Sequence, residues 1–118
     1  MKTVKIIPSI CKADGSNWEG HVIMRLPTFD EKFEYIEAIG ADIDEDDSVK
    51  KESKMSQIKK VRSLVKLSLK HYQEVNLKNK ATGEVVESVD AMQYVDDLHA
   101  VMAELAGKLI EGFKVGNG

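Results

Sequence analysis

Between Ser88 and Phe113 apolar residues recur at Val89, Met92, Val95, Leu98, Met102, Leu105, Leu109 and Phe113, in steps of three and four. That spacing predicts one face of an α-helix, and no other stretch restricts the fold as much. A helix over this run is ~36 Å long at 1.5 Å per residue, about the width of a small domain. Burying its apolar face contributes roughly 12–24 kcal/mol at 1.5–3 per side chain, while ordering its backbone costs on the order of 1–2 kcal/mol per residue. Such a helix needs the rest of the chain packed on it. Ser88 is placed as its N-cap and Gly112 as its stop, which leaves 114–118 as a loose tail. Gly107 inside it costs ~1 kcal/mol against Ala, so either another backbone approaches closely there or the helix is weak at that point.

At 118 residues the chain is one domain. The residues before the long helix supply the rest of a small α+β fold: an N-terminal β-hairpin, a short helix, another long amphipathic helix and a second short hairpin. Val4 to Ile10 is aliphatic and β-branched but contains Pro8, which suits a sheet edge or a bend. From His21 to Leu26, Val22, Met24 and Leu26 alternate with His21, Ile23 and Arg25, as in a strand with one buried face. The intervening Ala13–Gly20 has turn composition, with Asp14-Gly15 tolerating positive φ. After Pro27, Thr28 and Glu31 have the spacing of a capping box. They open a short helix that carries Phe29, Phe33, Ile36 and Ile39 on one side and ends at Gly40. Residues 42–54, acidic and then lysine-rich, read as a mobile charged loop. Met55 to Tyr72 reads as the other long helix, with Ile58, Val61, Val65, Leu69 and Tyr72 on its core face and Leu64 at the margin. Lys59, Arg62, Lys66 and Lys70 form a basic stripe away from that face. Glu74 to Glu87 reads as a hairpin turning at Asn79–Gly83, with Val75 and Leu77 on one arm and Val85 on the other.

Little in this chain points to catalysis. Asp42, Asp44, Glu45, Asp46 and Asp47 begin like a calcium loop, but Asp47 and Ser53 stand where the loop needs its glycine and its bidentate glutamate. His21, His71 and His99 are scattered, and the lone Cys11 cannot complete a zinc set. The glycines are dispersed, so no phosphate loop is present. The expectation is a protein without enzymatic activity, metal or cofactor. Seventeen basic and twenty acidic residues give a net charge of −3, so nucleic-acid binding would need a local patch. The stripe Lys59, Arg62, Lys66 and Lys70 could track phosphates, although no aromatic residues interleave it for base stacking and a solvated helix face is the plainer reading. The N-terminus lacks the apolar run of a signal peptide, and no stretch approaches the ~18 apolar residues that span a bilayer. A cytoplasmic location, with no membrane partner, is expected. Met92, Met102 and the Leu109/Phe113 end of the last helix are candidates for contact with a partner or with a copy of the same chain.

The strand ending in Ile23-Met-Arg-Leu-Pro-Thr-Phe-Asp-Glu-Lys-Phe-Glu-Tyr-Ile36, the helices after it, the Thr-Gly-Glu hairpin between Val75 and Val86 and the terminal Gly112-Phe-Lys-Val-Gly116 resemble the small tail assembly chaperones of long-tailed bacteriophages. The likeness extends from about Met1 to Gly116 and lies in hydrophobic pattern and turns. It implies a non-enzymatic protein that binds the tape-measure protein, keeps it soluble and helps recruit tail-tube subunits, with no catalytic residues. Many proteins of this family are also made in a longer, frameshifted form, which a slippery run of G then A across the codons for Ala106-Gly107-Lys108 would permit. On this reading Met102, Leu105, Leu109 and Phe113 form the partner-binding surface, accepting the client's amphipathic face as a helix in a groove. The alternatives are a nucleic-acid-binding accessory protein using the basic stripe and a structural subunit of a phage particle.

Overall fold

Strands β1 (Thr3–Ile6), β2 (Trp18–Arg25), β3 (Tyr72–Asn79) and β4 (Val85–Val86) form one antiparallel sheet in the order β1-β2-β3-β4. The structure is a computed structural model and describes residues 2–43 and 54–112. Helices α1 (Ser9–Lys12), α2 (Phe29–Ile43), α3 (Lys54–Ser68), α4 (Val89–Met92) and α5 (His99–Glu111) accompany the sheet, with 3-10 turns at Leu69–His71 and Asp96–Leu98. The fold is α+β.

The alternation in β2 has its expected effect: Val22 and Met24 are fully buried. The strand starts three residues earlier than the pattern suggested, at Trp18, itself buried. Gly20 lies inside it at φ +128° opposite Leu77, and a Cβ at that position would collide with the Asn76 carbonyl. β1 is an edge strand, as Pro8 suggested, but it stops at Ile6. Beyond it the chain turns at Pro8 into α1, with the Cys11 N–H donating to the Pro8 carbonyl at 2.9 Å. In the second hairpin the Asn79 side chain accepts from the N–H groups of Ala81 and Thr82 at 2.9 and 3.2 Å. Val86, not Val85, is its inward residue: they are 1% and 53% exposed.

The terminal helix is not continuous. It is split into α4, the Asp96–Leu98 turn and α5. Its apolar steps explain why. From Val89 through Met92 and Val95 to Leu98 each step is three residues, and at 100° per residue an unbroken helix would carry Val89 and Leu98 to opposite faces, about 180° apart. Tightening the chain to three residues per turn keeps them on one side. Ser88 caps the start of α4, its hydroxyl accepting from the Ala91 N–H at 3.1 Å, and polar contacts flank the break: the His99 Nε2 meets the Gln93 carbonyl at 2.8 Å and the Trp18 indole N–H donates to Asp97 at 3.2 Å. From Leu98 onward the steps alternate four and three, and α5 is regular to Gly112, whose φ of +98° ends it. Met92, Leu98, Val101, Met102, Leu105 and Leu109 share one buried cluster with Trp18, Val22, Met24, Val75, Leu77 and Val86. Nothing lies within 4 Å of where a Gly107 Cβ would stand, so no backbone approach explains that glycine.

Helices α2 and α3 differ most from the sequence pattern. The capping box forms, with Thr28 Oγ1 accepting from the Glu31 N–H at 3.2 Å and Glu31 accepting from the Thr28 N–H at 2.9 Å. The helix continues through Gly40 to Ile43, so the first residues of the expected 42–54 loop are helical; the other loop residues up to 53 lie outside the described residues, as does the 114–118 tail. α3 is shorter than expected. It ends at Ser68, a 3-10 turn follows, and Tyr72 already belongs to β3. Val65, Leu69 and Tyr72 pack against the core, but Ile58 and Val61 do not. α3 packs against both α5 and α2.

Candidate functional site

Two features stand out beyond the core. One is a polar cluster where β2, α2 and the 3-10 turn meet. Burial holds His71 neutral, with its pKa below the ordinary value; the cations Arg25 and Lys70 add to this, while the Arg25 carbonyl and Glu31 oppose it. Its Nδ1 lies 2.8 Å from the Arg25 carbonyl, which only accepts, so Nδ1 carries the proton. Nε2 is then the acceptor for the Tyr35 hydroxyl at 2.6 Å. Burial, and then the Glu31 charge, push the Tyr35 phenol up, which keeps it a donor. Arg25 grips Glu31 through two bonds of 2.9 and 3.0 Å. That grip, helped by the Thr28 N–H, brings the Glu31 carboxyl down to about 2. Lys70 lies 3.7 Å from Glu31 and 5.8 Å above the Tyr35 ring.

This cluster has the residue types of an acid–base site but not its access. Tyr35 and His71 are fully buried and satisfy each other. The neighbouring cavity, about 430 Å³ and lined by Lys2, Arg25, Leu26, Pro27 and Thr28, touches neither of them. Its one cationic wall group of the cluster, Arg25, is already committed to Glu31. The cluster is a fastening between α2 and the body. Cys11 is half-buried, and burial together with Glu104 and Glu19 pushes its thiol up, away from the thiolate a nucleophile needs. Among the described residues no group of three or more His, Cys, Asp or Glu could hold a metal ion, and no helix is long and apolar enough to cross a membrane.

The second feature is a pair of bare apolar rows. Phe29, Phe33 and Ile36 on α2 and Ile58 and Val61 on α3 are between 49 and 74% exposed. Both rows obey helical spacing, yet neither is covered. On α2 the only fully buried side chain among the described residues is Tyr35, which leaves the Phe29 and Phe33 rings packed edge to face at 4.9 Å on the outside. Isolated exposed apolar residues are ordinary, whereas contiguous exposed apolar patches mark interaction sites or aggregation liabilities.

No protein-family model, curated protein or solved structure matches the chain. The site must therefore be judged on its own geometry. Met102, Leu105 and Leu109, expected as a partner surface, are 5, 0 and 0% exposed. They are core because α5 is the helix whose side chains complete the cluster over the inner face of the sheet, so a client cannot reach them. Phe113 lies outside the described residues. Lys59, Arg62 and Lys66 are exposed along α3 as expected, whereas Lys70 sits past the end of the helix, in the 3-10 turn, beside Glu31. The Arg25–Glu31–Tyr35–His71 cluster escaped the sequence reading because its members come from three separated stretches. Only the capping-box role of Glu31 was visible. The α2 row was visible as a row, but its outward direction was not.

Proposed function

We propose that the protein is a non-enzymatic assembly chaperone of the phage tail type, which holds an amphipathic helical segment of a tape-measure protein in the host-cell cytoplasm and so helps recruit tail-tube subunits. One observation carries this reading: the apolar rows of α2 and α3 stay bare beside a core that is already complete. An amphipathic client helix is the partner whose spacing matches such rows, since it presents its own anchors at steps of three and four. The resemblance of the Ile23–Ile36 stretch and the second hairpin to tail assembly chaperones supports the choice of client. The surface assigned to it moves from the end of α5 to α2 and α3.

Co-expression of the tagged chain with a tape-measure protein tests the reading. The wild type is expected to retain the client, and Phe33→Asp and Ile58→Asp to lose it while their circular dichroism is unchanged. Retention by both variants would reject this surface; no retention by the wild type would reject the reading.

A nucleic-acid-binding role is the second reading, favoured by Lys59, Arg62 and Lys66, which are exposed and form no ion pair among the described residues. Three phosphate contacts predict a slope of log K against log salt of about −3, which is weak binding. Asp30, Glu34 and Glu37, exposed on the adjacent α2, would oppose it further. Salt-sensitive retention on DNA is the measurement that would promote it. A third role, as a structural subunit, would show itself as a stable ring formed without a client.

A further inference from the structure

The charges beside the two bare rows are ordered. On α2 each exposed acid directly follows an apolar row residue: Asp30 after Phe29, Glu34 after Phe33, Glu37 after Ile36. On α3 each exposed base also follows an apolar residue: Lys59 after the bare Ile58, Arg62 after the bare Val61, and Lys66 after Val65, which is half-buried against the core. The acidic row therefore flanks one apolar row on the same hand as the basic row flanks the other, about 100° around each helix. None of these six charges forms an ion pair among the described residues, so the complementarity is not used there.

Flanks of the same hand meet when two helices pack face to face and antiparallel. The spacings agree with that direction. Read forward, the α2 rows advance by four and then three residues; read backward, the α3 rows do the same. Laid antiparallel, Phe33 and Ile36 meet the bare Val61 and Ile58, Phe29 falls level with the half-buried Val65, and Asp30, Glu34 and Glu37 meet Lys66, Arg62 and Lys59. We propose that the α2–α3 surface is self-complementary, and that two copies of this chain close it on each other about a two-fold axis, α2 of each against α3 of the other. A two-fold arrangement forms this contact twice, and each copy brings the Phe29–Phe33 ring pair to it as aromatic anchors. If the function proposed above holds, the dimer is the resting form and a client helix competes with it; only this clause rests on that function.

Sedimentation velocity of the full chain, without any client, tests the pairing. The wild type is expected to pass from monomer to dimer with rising concentration, less readily at high salt, because exposed charges are screened. Glu34→Lys with Glu37→Lys makes both helices basic; Lys59→Glu with Arg62→Glu makes both acidic. Each variant is expected to dissociate at least about tenfold more readily than the wild type, and an equimolar mixture of the two to regain the dimer as a mixed pair. All four positions are exposed, and circular dichroism is the check that the variants fold. A wild type that stays monomeric, a variant that dimerises like the wild type, or a mixture that does not associate would each overturn the proposal. A monomer that still retains client would overturn the pairing alone and leave the chaperone reading intact.

Discussion

The Tyr35 hydroxyl and the His71 ring form a closed polar pair, and two hydroxyl deletions separate its worth from simple burial. Tyr35→Phe leaves Nε2 of His71 buried without a donor, so a loss of about 1–3 kcal/mol in urea unfolding is expected. Tyr72→Phe should be neutral or stabilising, because the buried Tyr72 hydroxyl has no hydrogen-bond partner among the described residues; burial pushes that phenol up, and Ser68 beside it only partly offsets this. His71 also sets a pH dependence. Its pKa is below 6.5 in the folded chain and near 6.5 in the unfolded one, so as pH falls past that value the unfolded state takes up a proton that the folded state refuses. Stability then drops with acidification, with a limiting slope of about 1.4 kcal/mol per pH unit. Glu31 acts at lower pH. With its carboxyl held down to about 2 from 4.5, its contribution is intact above 4.5 and is lost as pH descends from there. Melting curves of His71→Leu against the wild type check the first limb: the variant is less stable overall but should lose the slope just below pH 6.5.

Two glycines give opposite expectations at the level of the element. Gly107→Ala meets open space inside α5 and should stabilise by up to about 1 kcal/mol, the helix-propensity difference. Gly20→Ala must abandon φ +128° and clear the Asn76 carbonyl, so it should shift the β2–β3 register or prevent folding, visible as lost amide protection in β3. Neither outcome follows from composition, since a glycine in a strand or a helix looks the same in the sequence whichever constraint holds it. Other local features were legible. Thr28 and Glu31 announce their cap, Ser88 and Gly112 theirs, and alternation marks Val22 and Met24, because each depends on neighbours within a few residues. The break after Met92 was legible in principle, through three successive steps of three residues. It was missed because each step taken singly suits a helix, and only the accumulated rotation does not.

On the scale of the molecule, periodicity shows that a helix has an apolar side but not what covers it. The rows on α2, α3 and α5 look alike in sequence, yet the α5 row is buried in one cluster with the sheet residues while Phe29, Phe33 and Ile36 on α2 and Ile58 and Val61 on α3 are exposed. A matched set of substitutions states this as an expectation. Leu109→Asp, in the core, should abolish folding, whereas, at concentrations where the chain is monomeric, Phe33→Asp and Ile58→Asp should alter stability by no more than about 0.5 kcal/mol, as is usual for surface changes. Thermal melts of the three variants decide between core and surface for each row.

The two ends of the sheet deserve to be seen as a safeguard. β1 has four residues and carries exposed Lys5, with Lys2 just before it, and β4 has only two residues. Short, lysine-bearing margins offer an incoming chain few unpaired backbone groups to extend in cross-β fashion. A protein that displays bare phenylalanines could then accumulate in a cell without seeding fibrils, its stickiness being confined to helices, where contacts are finite and reversible.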